Sequence, residues 1–310
     1  MSADTLVSPF LLARATVTAV ERVSPSFVRV TLGGPEITDL GTPGAVLDQR
    51  IKLIFPSPGA PLPSLAGTAD WYQEWLALPE NTRGSMRTYS IRELTVDAAG
   101  TTLTIDFVLH LDPTSTGPAS LWASAAAPGQ EILVLGPRRG RTDGGGIEYY
   151  PGDASSILLA GDETAAPAIA RILEDSPAST RGAAFIEVPE AGDILPIAAP
   201  AGVEITWLPR DGKAHGEALI PAVLEHLGSQ PVDSAPEVLP EGELLWETPT
   251  FSGLGEETSS GDVHADRYFW IAGESGVVTT LRRHLVKGLG IDRGQVAFMG
   301  YWRKGVAMRG

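Results

Sequence analysis

The chain has 310 residues, a formal charge of −15 from 23 Lys+Arg against 38 Asp+Glu, 43% hydrophobic residues and no cysteine. The length suits about two domains of ~150 residues each, and the missing cysteine excludes disulfides, thiolate zinc sites, cysteine-ligated iron–sulfur clusters and cysteine nucleophiles. The acidic balance sets the surface against nucleic acid and anionic membranes, no apolar run approaches the ~18 residues of a bilayer span, and no basic n-region marks a signal peptide, so the expectation is a cytoplasmic protein with neither nucleic acid nor membrane as partner.

The first third reads as sheet. Residues 12–20 and 27–32 alternate β-branched and polar side chains around the turn Ser24-Pro25-Ser26, and 50–55 is a third candidate strand. A Pro/Gly-rich stretch and a short amphipathic piece bearing Trp71 and Trp75 follow. Residues 87–92 and 101–111 are strands joined through the turn Asp97-Ala98-Ala99-Gly100, and 131–135 makes a sixth. Six short strands at this spacing predict a small antiparallel β-barrel, interrupted by one helix over 118–127 that Pro128-Gly129 stops.

The pattern changes at the Gly-rich linker 140–153. Strands at 156–160, 183–188, 203–208, 268–272 and 296–299 then alternate with helices at 164–174, 217–227 and 276–287. That alternation predicts a doubly wound parallel sheet of the nucleotide-binding kind. The expected domains are a barrel over 1–145 and an α/β domain over 146–310. Residues 229–266 interrupt the second with nine acidic residues and no Lys or Arg, read as a solvated loop anchored by Leu244-Leu245-Trp246. From 267 onward eight Lys/Arg face two Asp/Glu, so the C-terminal segment is locally basic.

The five histidines show no metal-ligand spacing, Gly273-Glu274-Ser275-Gly276 is no nucleophile elbow, and a G-x-G-x-x-G fingerprint is absent. Gly253-Leu254-Gly255 follows no strand and opens no helix. Arg87-Thr88-Tyr89-Ser90-Ile91-Arg92 stands apart. It sets Arg87 and Tyr89 on one side of a strand and Thr88 and Ser90 on the other. A flavin or nucleotide uses such an edge, with arginine against pyrophosphate, an aromatic against the ring and a hydroxyl at its polar rim. An ordinary surface strand fits the same six residues. Gly117-Pro118-Ala119-Ser120 opens the barrel's one helix, whose free N–H groups suit a pyrophosphate, while Ser120 alone suits a plain helix cap.

Taken in order, Arg87–Arg92, Asp106-Phe107-Val108-Leu109-His110, Gly117–Trp122, Gly136-Pro137-Arg138, Gly161-Asp162-Glu163-Thr164, Ala272-Gly273-Glu274 and Gly300-Tyr301-Trp302-Arg303-Lys304-Gly305 resemble the siderophore-interacting proteins. These are FAD-dependent ferric-siderophore reductases of the ferredoxin-reductase superfamily, and the resemblance runs from Ala13 to Gly305. It implies an FAD domain followed by a nucleotide-binding domain. Arg87, Thr88, Tyr89, Ser90, Asp106, Phe107, Val108, His110, Ala119, Ser120, Thr164, Ala165 and Trp302 would hold FAD. Gly161, Asp162, Glu163, Gly273 and Glu274 would line a nicotinamide site.

The electron arithmetic agrees with that resemblance. A nicotinamide gives two electrons as hydride and Fe(III) takes one, so a flavin must divide them. Siderophore oxygens favour Fe(III), and reduction releases Fe(II) without a protein ligand to iron, so no metal site is expected. Anionic ferric siderophores call for cations, and Lys52, Arg138 and Lys304 form the expected substrate platform; each also reads as a solvated surface charge. NADH, NADPH and reduced ferredoxin all stay open as donors, and the lack of an evident basic cluster for a 2′-phosphate leans towards NADH. The competing readings are a general NAD(P)H-dependent flavin oxidoreductase with another acceptor and a non-catalytic siderophore- or flavin-binding module.

Overall fold

The computed structural model describes residues 8–65, 70–110, 116–141, 143–229, 244–248 and 266–305. Contacts divide the chain into two compact units, one of residues 1–23 and 27–147, the other of 24–26 and 148–309.

In the first unit one antiparallel sheet is built from β1 (Phe10–Arg22), β2 (Phe27–Gly33), β3 (Arg50–Phe55), β4 (Ser85–Ser90), β5 (Glu93–Asp97), β6 (Gly100–Val108) and β7 (Glu131–Pro137). Its order is β4-β3-β7-β1-β2-β6-β5. Among the described residues no ladder joins β4 to β5, so the sheet is a half-barrel. It has seven strands where the sequence predicts six. The added strand is the five-residue β5, hairpinned to β6 at Asp97 and Gly100, with the Asp97 carboxylate accepting from the Ala99 and Gly100 amides at 2.7 and 3.2 Å. So short a strand leaves little periodicity to read.

Alternation decides which side chains face the core. Ala13, Ala15 and Val17 of β1, Val28, Val30 and Leu32 of β2, Ile51, Leu53 and Phe55 of β3 and Leu103, Ile105 and Phe107 of β6 are buried together. On the other face of β3, β4 and β7, Ile54, Met86 and Leu133 pack beneath Trp75 of α1 (Trp71–Ala77). The β3–β4 register pairs Lys52 with Thr88 and Leu53 with Arg87. Arg87 and Tyr89 therefore share the inner face, and Lys52 and Thr88 the outer. Helix α2 (Pro118–Ser124) ends three residues before the predicted stop.

The second unit has parallel strands β8 (Ser156–Gly161), β9 (Arg181–Val188), β10 (Gly202–Pro209), β12 (Arg267–Glu274) and β13 (Val296–Trp302), with β11 (Trp246–Glu247) antiparallel on β13. The order β10-β9-β8-β12-β13-β11 makes β8 and β12 neighbours, and the winding reverses between them. In such sheets ligands bind outside the carboxyl ends at that reversal. Helices α3 (Ala166–Asp175), α4 (Leu219–His226) and α5 (Ser275–Arg282) begin at this same edge. Apolar residues at helical spacing, such as Ile169, Ile172 and Leu173, seat α3 on the sheet.

Two details differ from expectation here. The predicted helix over 276–287 continues past Arg282 as a π-turn, Arg283–Gly288. The acidic segment is anchored by more than apolar side chains: the buried Glu247 carboxylate takes Arg282 Nε at 2.7 Å and Nη2 at 2.9 Å. The Gly300 amide donates to the Leu245 carbonyl at 2.7 Å. Residues 230–243 and 249–265 of that segment, with the Gly253-Leu254-Gly255 triplet, lie outside the described residues.

Candidate functional site

On the inner face of the first unit, Tyr89 lies against Phe107 with ring centroids 4.6 Å apart. Phe55 and Trp122 complete the cluster, 5.2 Å from one another, with Trp122 5.7 Å from Phe107. Burial raises the Tyr89 hydroxyl well above its ordinary pKa, with the nearby Arg87 charge opposing it, so the side chain stays neutral. Arg87 is half-buried and its Nη1 donates to the Met86 carbonyl at 2.7 Å. Among the described residues no carboxylate closes its guanidinium. Burial pulls its pKa down, as expected for a cation held apart from counter-charge. Ser90 is buried and Thr88 exposed.

Asp106 and Phe107 are neighbours in β6 and so point to opposite faces. Phe107 joins the aromatic cluster, but Asp106 does not. Its carboxylate takes Arg29 Nε at 2.7 Å and Arg29 Nη2 at 2.9 Å, with Arg92 Nε 3.8 Å away. Arg29 thus bonds both oxygens of the carboxylate that the sequence assigns to a cofactor, and Arg92 adds a second, more distant cation. The Ser120 hydroxyl donates to the Val108 carbonyl at 3.1 Å and accepts from the His110 amide at 3.3 Å. That pair fixes the start of α2 to the end of β6 and brings Val108, His110, Ala119 and Ser120 together. The N-cap residue of α2, Gly117, has no side chain to cap it, and Pro118 carries no N–H; among the described residues no side chain accepts the next amides, at Ala119 and Ser120.

Lys52 Nζ lies 3.4 Å from Thr88 Oγ1, and burial together with the neighbouring Arg50 charge lowers its pKa. No carboxylate pairs with it among the described residues. Arg138 is differently employed: its Nε donates to the Ser8 carbonyl at 3.0 Å and Nη2 to the Phe10 carbonyl at 3.3 Å, tying the start of β1 to the end of β7. Lys304 is exposed, and belongs to the other unit, where its amide donates to Glu274 Oε1 at 3.2 Å.

In the second unit the loop after β8 and the last residues of β12 and β13 converge on the Asp162 carboxylate. Oδ1 accepts from the Thr164 amide at 2.9 Å and hydroxyl at 2.5 Å; Oδ2 accepts from the Glu274 amide at 2.6 Å and Trp302 Nε1 at 2.9 Å. Two glycines make room for this. A Cβ on Gly161 would meet Ala165 Cβ at 2.5 Å, and one on Gly273, at φ +137°, would meet Asp162 Oδ2 at 2.6 Å. Burial and the Glu163 charge push the Asp162 carboxyl up to about 6, against the opposing hydrogen bonds of Thr164 and Trp302.

Beside it, Glu163 is fully buried and holds Arg210 through two bonds, Nη1 to Oε2 at 2.6 Å and Nη2 to Oε1 at 2.8 Å. Burial alone would lower the Arg210 pKa, but Glu163, Glu187 and Asp162 raise it above that of ordinary arginine. Glu187 Oε2 sits 3.5 Å from Arg210 Nη1, and the Glu187 oxygens accept from the Gly216, Ala218 and Leu219 amides at the start of α4. His215 Nε2 lies 3.4 Å from Glu163 Oε1, and its ring meets Trp302 edge-on at 4.9 Å. At α5, Glu274 Oε2 accepts from the Gly276 and Val277 amides at 2.7 and 3.0 Å.

Sequence reasoning passes over Arg29, Arg92, Phe55, Trp122, Glu187, Arg210 and His215. The signal for the last three was positional. Glu187 lies one residue before the end of β9, and Arg210 directly follows β10.

Comparison with known proteins agrees with this architecture. Residues 16–141 match the model of the siderophore-interacting FAD-binding domain, and residues 154–305 that of the siderophore-interacting protein. A siderophore utilization protein from T. fusca, solved by crystallography, superposes with a TM-score of 0.68 at 31% identity, over 97% of this chain and 95% of that one. The ferric vibriobactin reductase ViuB of Vibrio cholerae is 28% identical over 91% of this chain and 86% of its own. The NADPH-dependent ferric-chelate reductase of Escherichia coli is 28% identical over 93% and 91%. With both domain models matched in order and a solved relative above 30% identity along nearly its whole length, the chain belongs to the siderophore-interacting protein family.

Proposed function

We propose that this protein is a ferric-siderophore reductase, oxidising a nicotinamide dinucleotide and reducing chelated Fe(III) to Fe(II) with FAD as the intermediary. The observation that carries the reading is the inner face of β4. Arg87 is held there without a carboxylate among the described residues, next to Tyr89 in an aromatic cluster, and α2, which packs against β4, begins with amides that no described side chain caps. That donor set fits FAD: a guanidinium and helix amides for pyrophosphate, aromatic faces for the ring system. Tyr89, Ser90, Phe107, Val108 and His110 would line the flavin, and Arg87, Ala119 and Ser120 its phosphates. When bound, the flavin supplies the division of a hydride pair into single electrons.

The balance is one dinucleotide oxidised, with release of one proton, for two ferric complexes reduced. Lys52, unpaired with any described carboxylate, would meet the anionic chelate, and Lys304 is a second candidate. The carboxyl edge of β8 and β12, bounded by Gly161, Asp162, Gly273 and Glu274, is the place for the dinucleotide. The relatives named as ferric vibriobactin reductase and NADPH-dependent ferric-chelate reductase support the acceptor, and the name of the latter supports a nicotinamide donor.

The test is an anaerobic assay of the FAD-loaded chain. NADH, NADPH or reduced ferredoxin is added with a defined ferric hydroxamate or catecholate, and Fe(II) is trapped by a chromogenic chelator. Fe(II) formation that needs both FAD and a dinucleotide is expected. Bleached flavin that reduces quinone or free FMN but no ferric siderophore would transfer the assignment to a general flavin oxidoreductase.

A further inference from the structure

Resting on the reading that a nicotinamide dinucleotide serves the second unit, we propose that this chain selects NADH over NADPH, and that Glu163 sets the choice by holding Arg210. In a β-α-β unit of this winding, the adenosine ribose lies over the carboxyl ends of the strands beside the first. An acidic residue there favours a free 2′-hydroxyl, whereas an arginine accepts a 2′-phosphate. Here the first strand is β8, and β9 and β10 lie in turn beside it.

Arg210, immediately after β10, has the planar fork that a phosphate needs. It is already closed. Glu163 takes both terminal nitrogens at 2.6 and 2.8 Å, and Glu187 lies at 3.5 Å. Arg210 is 6% exposed, and Glu163 and Glu187 are fully buried. Glu187 is fixed in turn by the amides of Gly216, Ala218 and Leu219, so it cannot swing away to release the arginine. Two carboxylates, Glu163 and Glu187, stand against the one guanidinium of Arg210. The other cation of this loop, Lys213, is exposed to water.

A 2′-phosphate brings about two further negative charges to that cluster. To be accepted it must displace Glu163 from Arg210, which costs a fully buried carboxylate its two charge-assisted bonds. NADH makes no such demand. Glu163 touches no dinucleotide in this scheme; it is a positioning residue acting through Arg210.

The experiment measures reduction of the FAD-loaded full chain by NADH and by NADPH, before any iron is added. Wild type should favour NADH in the second-order rate constant of flavin reduction by about tenfold or more, the scale of one close charge pair. In Glu163→Gln the NADPH concentration that half-saturates flavin reduction, taken relative to that of NADH, should fall by about tenfold. Glu163→Asp should keep the wild-type ratio, and Arg210→Met added to Glu163→Gln should erase the gain. Calorimetry on the wild-type chain reads the same preference without turnover: adenosine 5′-monophosphate should bind at least as tightly as adenosine 2′-monophosphate. That measurement decides the matter if Glu163→Gln does not fold. A wild-type preference for NADPH, tighter binding of the 2′-monophosphate, or a folded Glu163→Gln with an unchanged ratio overturns the proposal. If dithionite bleaches the flavin but neither dinucleotide does, the donor reading falls and takes this inference with it.

Discussion

Trp302 Nε1 donates to Asp162 Oδ2 at 2.9 Å, so one side chain fastens the end of β13 to the loop that follows β8. The same oxygen accepts the Glu274 amide at 2.6 Å, which brings in the end of β12. A single carboxylate thereby organises three strand ends around the reversal point of the sheet. It is also the group whose ionisation the surroundings oppose.

That opposition has a sign that can be measured. Burial and the Glu163 charge raise the Asp162 carboxyl from 3.8 to about 6. The native state then binds the proton more tightly than the unfolded chain, so stability falls as pH rises. The burden is absent below about pH 4, grows to about pH 6 and is complete above it. A shift of this size corresponds to about 3 kcal/mol. Asp162→Asn removes the titration, and its own cost, an amide N–H set against the donors of Thr164, Glu274 and Trp302, does not change with pH. Denaturant midpoints of both proteins should show wild type losing ground to the variant between pH 4 and 6. A difference constant across that range refutes the assignment.

Arg87 offers a cleaner test of the FAD site. Its described hydrogen bond is to the carbonyl of its neighbour Met86, so Arg87→Ala should leave the thermal midpoint of the apo protein nearly unchanged. Loss of a charge-assisted contact to pyrophosphate is worth roughly 1.5–3 kcal/mol, or about 10- to 150-fold in the FAD dissociation constant. Fluorescence titration of the apo chain with FAD reads this directly. Unaltered affinity would remove Arg87 from the site.

The sequence carried the order of the strands, the change from hairpins to strand–helix alternation, and the motifs at Arg87–Arg92 and Gly161–Thr164, because each rests on local periodicity or a short run of residues. It concealed what depends on register. Asp106 sits in the same motif as Phe107, yet the pleat sends it to Arg29 and Arg92, 77 and 14 residues away in the chain. Glu187, Arg210 and His215 look scattered in sequence and meet only because consecutive parallel strands end at one edge. Lys52 and Arg138 read alike as free cations until backbone carbonyls are seen to occupy one of them.

Lys52 and Arg138 should accordingly respond in different assays. Arg138 holds the Ser8 and Phe10 carbonyls, so Arg138→Ala should lower the thermal midpoint of the protein by a few degrees, about 1–2 kcal/mol for two such bonds. Lys52→Ala should leave the midpoint in place, keep FAD occupancy and raise KM for an anionic ferric siderophore by about tenfold. Burial lowers the Lys52 pKa, so the wild-type KM should also begin to rise at lower pH than free lysine would dictate. An unchanged KM in Lys52→Ala ends its role as a substrate cation.

The Glu247–Arg282 pair tests what holds the acidic segment to the second unit. Both side chains are buried and joined by two bonds at 2.7 and 2.9 Å, one residue coming from β11 and the other from the end of α5. Removing one partner strands the other charge in a low-dielectric interior, which costs about 3–5 kcal/mol, whereas replacing both by apolar residues of similar size is often close to neutral. Glu247→Ala and Arg282→Ala should each lower stability by that amount, and the double variant Glu247→Leu/Arg282→Met should recover most of it. Lys304 and the inner face of β4 are untouched by these changes, so FAD affinity should hold in the double variant. If the single variants cost less than about 1 kcal/mol, the pair behaves as a surface salt bridge and the ladder of β11 to Phe298 and Met299 is a stronger hold on the segment than the ion pair.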